Sequence, residues 1–162
     1  MHSSTQITLD FCDHSDITPL ITWLSGAYAD LESQAQFQVD GYWNHLKQGQ
    51  QGKKGMHRGT LGLRLRSRPN GSFSVEWYRI GRRHLAGRDV SAQYIRKGRG
   101  FRYSTHALFQ GQPDWLQAIA ESVEERLAEI RKRSLHIGKI RLAVLQYQRA
   151  IGGYLLETES VR

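Results

Sequence analysis

A single cysteine, Cys12, and three prolines stand in 162 residues. One cysteine leaves no partner for an intrachain disulfide and no cysteine-rich zinc site, so the composition fits a reducing cytoplasm. No apolar run approaches the roughly 20 residues that span a bilayer, and the N-terminus carries neither a basic n-region nor an apolar h-region. A soluble cytoplasmic protein that does not contact membrane is expected. The seven histidines, His2, His14, His45, His57, His84, His106 and His136, form no His-x-His pair and no His-Glu-x-x-His motif. A ligand cluster would have to be assembled by tertiary structure, and no metal or other cofactor is expected.

Acids are also scarce where bases are dense. Between Arg58 and Arg102 stand twelve Arg and Lys against two acids, Glu76 and Asp89, a local charge of +10 in a chain whose total is +8. Residues 1–52 are acidic, with a net of −5, and residues 103–162 are close to neutral. The basic charge therefore belongs to one segment, which points to one face meeting a polyanion. With so few carboxylates there, a two-metal nuclease site is not expected. Lys97-Gly98-Arg99-Gly100 lacks the longer glycine-rich loop ending in Lys-Ser or Lys-Thr that nucleotide hydrolysis requires. No catalytic constellation is visible, and the protein reads as a non-enzyme.

The basic segment alternates. Leu61, Leu63 and Leu65 fall on one side of a strand and Arg64, Arg66 and Arg68 on the other. A two-residue Asn-Gly loop would place Leu65 opposite Glu76 and mix the faces. A three-residue loop, with Pro69 at the first corner and Gly71 left-handed, sets Leu65 opposite Val75, Leu63 opposite Trp77 and Arg64 opposite Glu76. The second register is the expected one. It gathers Leu61, Leu63, Leu65, Phe73, Val75 and Trp77 on one apolar face. A loop, Gly81 to Asp89, leaves Arg82, Arg83 and Arg88 outward; a third strand runs from about Val90 to Arg96, and Phe101 to Tyr103 is either a fourth strand or an extended entry to the next helix.

Helical periodicity flanks this segment. Leu20, Trp23, Leu24, Ala27, Leu31, Ala35 and Val39 predict a helix over 17–48, and Leu116, Ile119, Val123, Leu127, Ile130, Ile137, Ile140, Val144, Tyr147 and Ile151 a second over 113–151, with a bend near Ser134 to Gly138 and an end at Gly152-Gly153. Glu121, Glu124, Glu125 and Glu129 before Arg131, Lys132 and Arg133 read as a solvated, ion-paired face. The expected architecture is α+β: an antiparallel three- to four-stranded β-meander flanked by two long α-helices, in one domain over 17–151 with the sheet at 59–104, a flexible segment at 1–16 and a tail at 152–162.

Arginines interleaved with aromatic residues suit nucleic acid, since arginine neutralises phosphate and stacks on bases; an Arg-rich but merely solvated sheet is the alternative. The candidate contacts are Arg64, Arg66, Arg68, Arg82, Arg83, Arg96, Lys97, Arg99 and Arg102, with Tyr94 and Tyr103 for sugar or base.

Four blocks occur in an order that resembles the MobI family of conjugative transfer proteins, found in integrative and conjugative elements and plasmids: Gly59-Thr60-Leu61-Gly62-Leu63-Arg64; Val75-Glu76-Trp77-Tyr78; Tyr94 through Tyr103; and Trp115 followed by Glu124-Glu125-Arg126-Leu127-Ala128-Glu129-Ile130-Arg131-Lys132. The likeness covers about residues 20–150. It implies an accessory protein that recognises the transfer origin in DNA and assists the relaxase or the coupling protein in mobilisation, with self-association into a homodimer open. It carries over no catalytic residues. An adaptor that binds relaxase or coupling machinery through its long helices, without touching DNA, is the rival expectation.

Overall fold

The computed structural model describes residues 17–69, 71–81 and 92–159. A long helix α1 (Ile17–Gln50) leads through a 3₁₀ turn (Gly55–Arg58) into strands β1 (Leu61–Ser67), β2 (Phe73–Ile80) and β3 (Ala92–Tyr94), followed by a short helix α2 (Thr105–Phe109) and a long helix α3 (Asp114–Glu159). The three strands form one antiparallel sheet in the order β1-β2-β3. The protein is thus α+β. By internal contacts the chain divides into two compact units, one over 28–136 and one joining residues 17–27 to the α3 residues from 137 onward.

Alternation in β1 and β2 does what the register requires. Leu65 stands opposite Val75, Leu63 opposite Trp77 and Arg64 opposite Glu76, and Gly71 has φ +75° at the hairpin. Arg68 N–H donates to Ser72 O at 2.7 Å and Gly71 N–H to Arg68 O at 3.0 Å, which closes the three-residue loop. Leu61, Leu63, Val75 and Trp77 are buried. From α1, Leu31, Ala35, Val39, Tyr42 and Leu46 complete that core, joined by Leu116, Ala120, Val123 and Leu127 of α3. The Tyr42 ring meets Trp77 edge-on at 5.0 Å between centroids.

Since Ile80 N–H donates to Thr60 O, Leu61 and Leu63 turn their backbone groups away from β2, as alternate residues of an antiparallel ladder do. Helix α1 takes those carbonyls: Tyr42 Oη donates to Leu61 O at 2.6 Å and Trp43 Nε1 to Leu63 O at 2.8 Å. The β1 edge of the sheet is therefore covered by α1 at Leu61 and Leu63. Burial holds the Tyr42 phenol far above its ordinary pKa, so it stays a donor. Where the chain enters β1, Gly59 has φ +72°, and a Cβ there would stand 2.3 Å from Leu116 Cδ2. Only glycine lets α3 approach so closely. Buried Gln112 ties the same point, accepting from Thr60 N–H at 2.8 Å and donating to Thr60 Oγ1 at 3.0 Å.

Of the two alternatives for residues 101–103, the structure shows the entry to α2, bent at Phe101 and Arg102 and capped by Ser104, and no strand there. Several expectations are corrected. The third strand ends at Tyr94 and not at Arg96; Val90 and Ser91 lie outside the described residues. Helix α3 is unbroken at Ser134, whose hydroxyl donates to Arg131 O at 3.1 Å inside the helix. Nor does it stop at Gly152-Gly153. It continues to Glu159, because each glycine costs only about 1 kcal/mol and Leu155, Leu156 and Glu157 are strong helix formers. In the unit containing 17–27, Leu24 is buried while Leu20 and Trp23 are exposed, and Ile140 and Tyr147, expected on the core stripe, are exposed as well.

Candidate nucleic-acid interface

The basic turn follows β3 directly. Ile95 N–H donates to Trp77 O at 3.0 Å, extending the ladder one step past Tyr94. The chain then turns through Gly98 at φ +81°, with Arg96, Arg99 and Arg102 exposed. Lys97 behaves differently. Its Nζ donates to the carbonyl of Gly100 within the turn, and the side chain is half-buried.

The far end of the turn is clasped by a buried charge pair. Glu124, only 3 % exposed, accepts from Tyr103 N–H at 2.8 Å and from Trp77 Nε1 at 2.7 Å. Arg131 closes on the same carboxylate at 2.8 and 3.1 Å and donates to Phe101 O at 2.9 Å. Its guanidinium lies 4.9 Å from the centre of the Tyr103 ring. Turn 96–102 is thereby strung between two fixed points, Ile95 on the sheet and Phe101 to Tyr103 on α3. Exposed arginines on a pinned backbone present charge in a defined place.

This network overturns two expectations. Glu124 does not belong to the solvated face, which keeps the exposed Glu121, Glu125 and Lys132 and the Glu129–Arg133 pair, 3.2 Å and four residues apart. Tyr103, a candidate for sugar or base contact, is 7 % exposed and burial raises its phenol pKa. Position 124 lies four residues after Ala120 and three before Leu127, on the apolar side of α3. That placement was the available signal.

The other candidates divide by location. Register places Arg64, Arg66 and Tyr94 on the face of the sheet opposite the leucines, together with Tyr78 and Glu76. Arg66 is exposed, and Arg68 is exposed at the hairpin. Arg64 is engaged: its Nη2 pairs with Glu76 Oε2 at 2.9 Å and its Cζ sits 4.3 Å over the Tyr94 ring. Arg79, on the core side, donates to Gln110 O and Ala107 O at 2.7 and 2.8 Å, taking up the last carbonyls of α2. Arg82 and Arg83 lie outside the described residues.

Partial burial pushes the Glu76 carboxyl up, but the hydrogen bond and charge of Arg64, with help from Ser74 and Arg66, outweigh it and hold the group below its ordinary value. A lowered folded-state pKa contributes stability that is complete above the unfolded value of about 4.3 and lost as pH falls through the folded one. Urea unfolding between pH 7 and pH 3 is therefore expected to show a loss of stability at the acid end that Glu76→Gln reduces. The difference should shrink in high salt, since the pair is part-exposed.

Among the described residues no three His, Cys, Asp or Glu side chains form a metal-binding group, and no helix is long and apolar enough to cross a membrane. The arrangement defines a small α+β protein whose helix-backed sheet carries its positive charge on the outer face and on one pinned turn. The family model described as MobI protein matches residues 31–145, a span that takes in the sheet, the turn and the Glu124–Arg131 clasp. The chain belongs to the MobI family, and with it to the mobilisation of DNA by conjugative transfer. Comparison with curated proteins and with solved structures gave no match.

Proposed function

We propose that this protein is a non-enzymatic, DNA-binding accessory factor of conjugative transfer that recognises the transfer origin and assists relaxase recruitment. The observation that supports it most is the exposed arginine turn, Arg96, Arg99 and Arg102, held at both ends by hydrogen bonds to the sheet and to the buried Glu124–Arg131 pair. Phosphates are met by these arginines with Arg66 and Arg68, and the engaged Arg64 acts through Tyr94 instead. The test is a titration of purified protein against fluorescent transfer-origin DNA and an unrelated fragment of equal length, duplex and single-stranded, at several salt concentrations. Preference for the origin that persists at moderate salt is expected. Binding that disappears equally for all fragments would remove origin recognition from the proposal.

A second reading, an adaptor that binds transfer proteins through its helices, draws on a groove within the 28–136 unit lined by Phe37 and Gln38 of α1 and by Glu125, Arg126 and Ile130 of α3. Phe37 is 71 % exposed at its rim. Capture of relaxase by a protein that shows no DNA affinity would favour this reading.

A further inference from the structure

The outer face of the sheet carries rings as well as charge. Gly62, Arg64 and Arg66 of β1 share it with Glu76 and Tyr78 of β2 and Tyr94 of β3. Gly62 stands opposite Tyr78, and a Cβ there would lie 2.4 Å from the Tyr78 ring. The missing side chain lets that ring lie down across β1. Its centre is 6.0 Å from that of Tyr94, with the planes tilted at 52°. Tyr94 is 47 % exposed and is backed by the Arg64 guanidinium at 4.3 Å.

We propose that Tyr78 and Tyr94, cleared by Gly62 and backed by Arg64, form a stacking platform for unpaired bases of single-stranded DNA. The inference rests on the reading of the protein as DNA-binding and adds to it the form of DNA that this face takes. The choice follows from which groups remain free. Bases in a duplex offer only their edges, and edges are read by projecting side chains with unspent hydrogen bonds. On this face the Arg64 guanidinium is committed to Glu76, and Glu76 accepts from Arg64 and Ser74. Among the described residues of this face, Arg66 and the two tyrosines remain, and ring surface is useful to a base whose own face is uncovered. Arg66, exposed beside it, meets the phosphates of the same strand.

The test uses the full chain and fluorescence anisotropy, with a mixed-sequence single strand and its duplex at matched ionic strength, on the wild type, Tyr94→Phe and Tyr94→Leu. Phenylalanine keeps the ring; leucine keeps apolar bulk without it. Tyr94→Leu is expected to weaken single-strand binding by about 5- to 150-fold, the effect of losing one stacked base, while duplex affinity and the circular dichroism spectrum stay as in the wild type and Tyr94→Phe binds normally. The platform is overturned if Tyr94→Leu leaves single-strand affinity unchanged, if it lowers both affinities equally, or if the wild type binds duplex alone. In each of those cases DNA binding itself stands. A wild type that binds neither form removes the DNA-binding reading, and the platform with it.

Discussion

Replacing Glu124 by alanine is expected to destabilise the protein by about 3–5 kcal/mol, the usual consequence of removing one partner of a buried ion pair. The carboxylate is 3 % exposed and accepts from Trp77 Nε1, Tyr103 N–H and Nη1 and Nη2 of Arg131. Its loss strands a guanidinium that is itself largely buried and leaves an indole N–H and a backbone N–H without acceptors. For a chain of this size, about 2–4 °C of melting temperature accompanies each kcal/mol, so thermal unfolding should move down by roughly 6–20 °C. The double variant Glu124→Leu/Arg131→Met removes both charges and should recover part of that loss, since an apolar pair of similar volume is often as stable as the ion pair it replaces. Two independent effects that simply add would show that the pair is not coupled. The double variant should also loosen the turn at Phe101 and Tyr103, where the clasp fixes the backbone.

Neutralising Arg96, Arg99 and Arg102 together to glutamine is expected to weaken DNA binding and to flatten its dependence on salt. Each lost phosphate contact lowers the slope of log K against log salt by about 0.7–0.9, so the triple variant should lose about 2–3 from that slope. All three side chains are exposed, and the melting temperature should stay near that of the wild type. Lys97→Gln is the internal contrast. Because Lys97 donates to Gly100 O, its replacement should relax the turn more than it changes the salt slope. An unaltered slope in the triple variant would place the phosphate contacts elsewhere on the chain.

The hairpin was legible because three local signals agree. The alternation from Leu61 to Arg68, the Pro69-Asn70-Gly71 loop and the charge match of Arg64 with Glu76 all select the observed register. The course of α1 through Leu24, Leu31, Ala35 and Val39 was equally plain from its apolar spacing. The candidate site was only half legible. Charge density marked Arg96, Arg99 and Arg102 correctly as exposed, yet the same criterion placed Lys97 and Tyr103 with them. The first is held to its own turn and the second is buried. Tyr78 falls on the outer face by the same alternation, opposite Gly62 in the expected register; what the structure adds is that its ring lies over the space a Cβ at 62 would fill.

The sequence by itself determined the α+β order, the strand register and the confinement of positive charge to one segment, because side-chain period, turn chemistry and net charge are properties of neighbours along the chain. Tertiary structure alone decided that Glu124 and Arg131 are buried, that Tyr103 belongs to the core, and that the carbonyls of Leu61 and Leu63 are taken by α1. A polar residue on an apolar face is costly or stabilising according to the partners that distant segments bring to it, and those partners, Trp77 and the backbone at 101–103, lie twenty to fifty residues away.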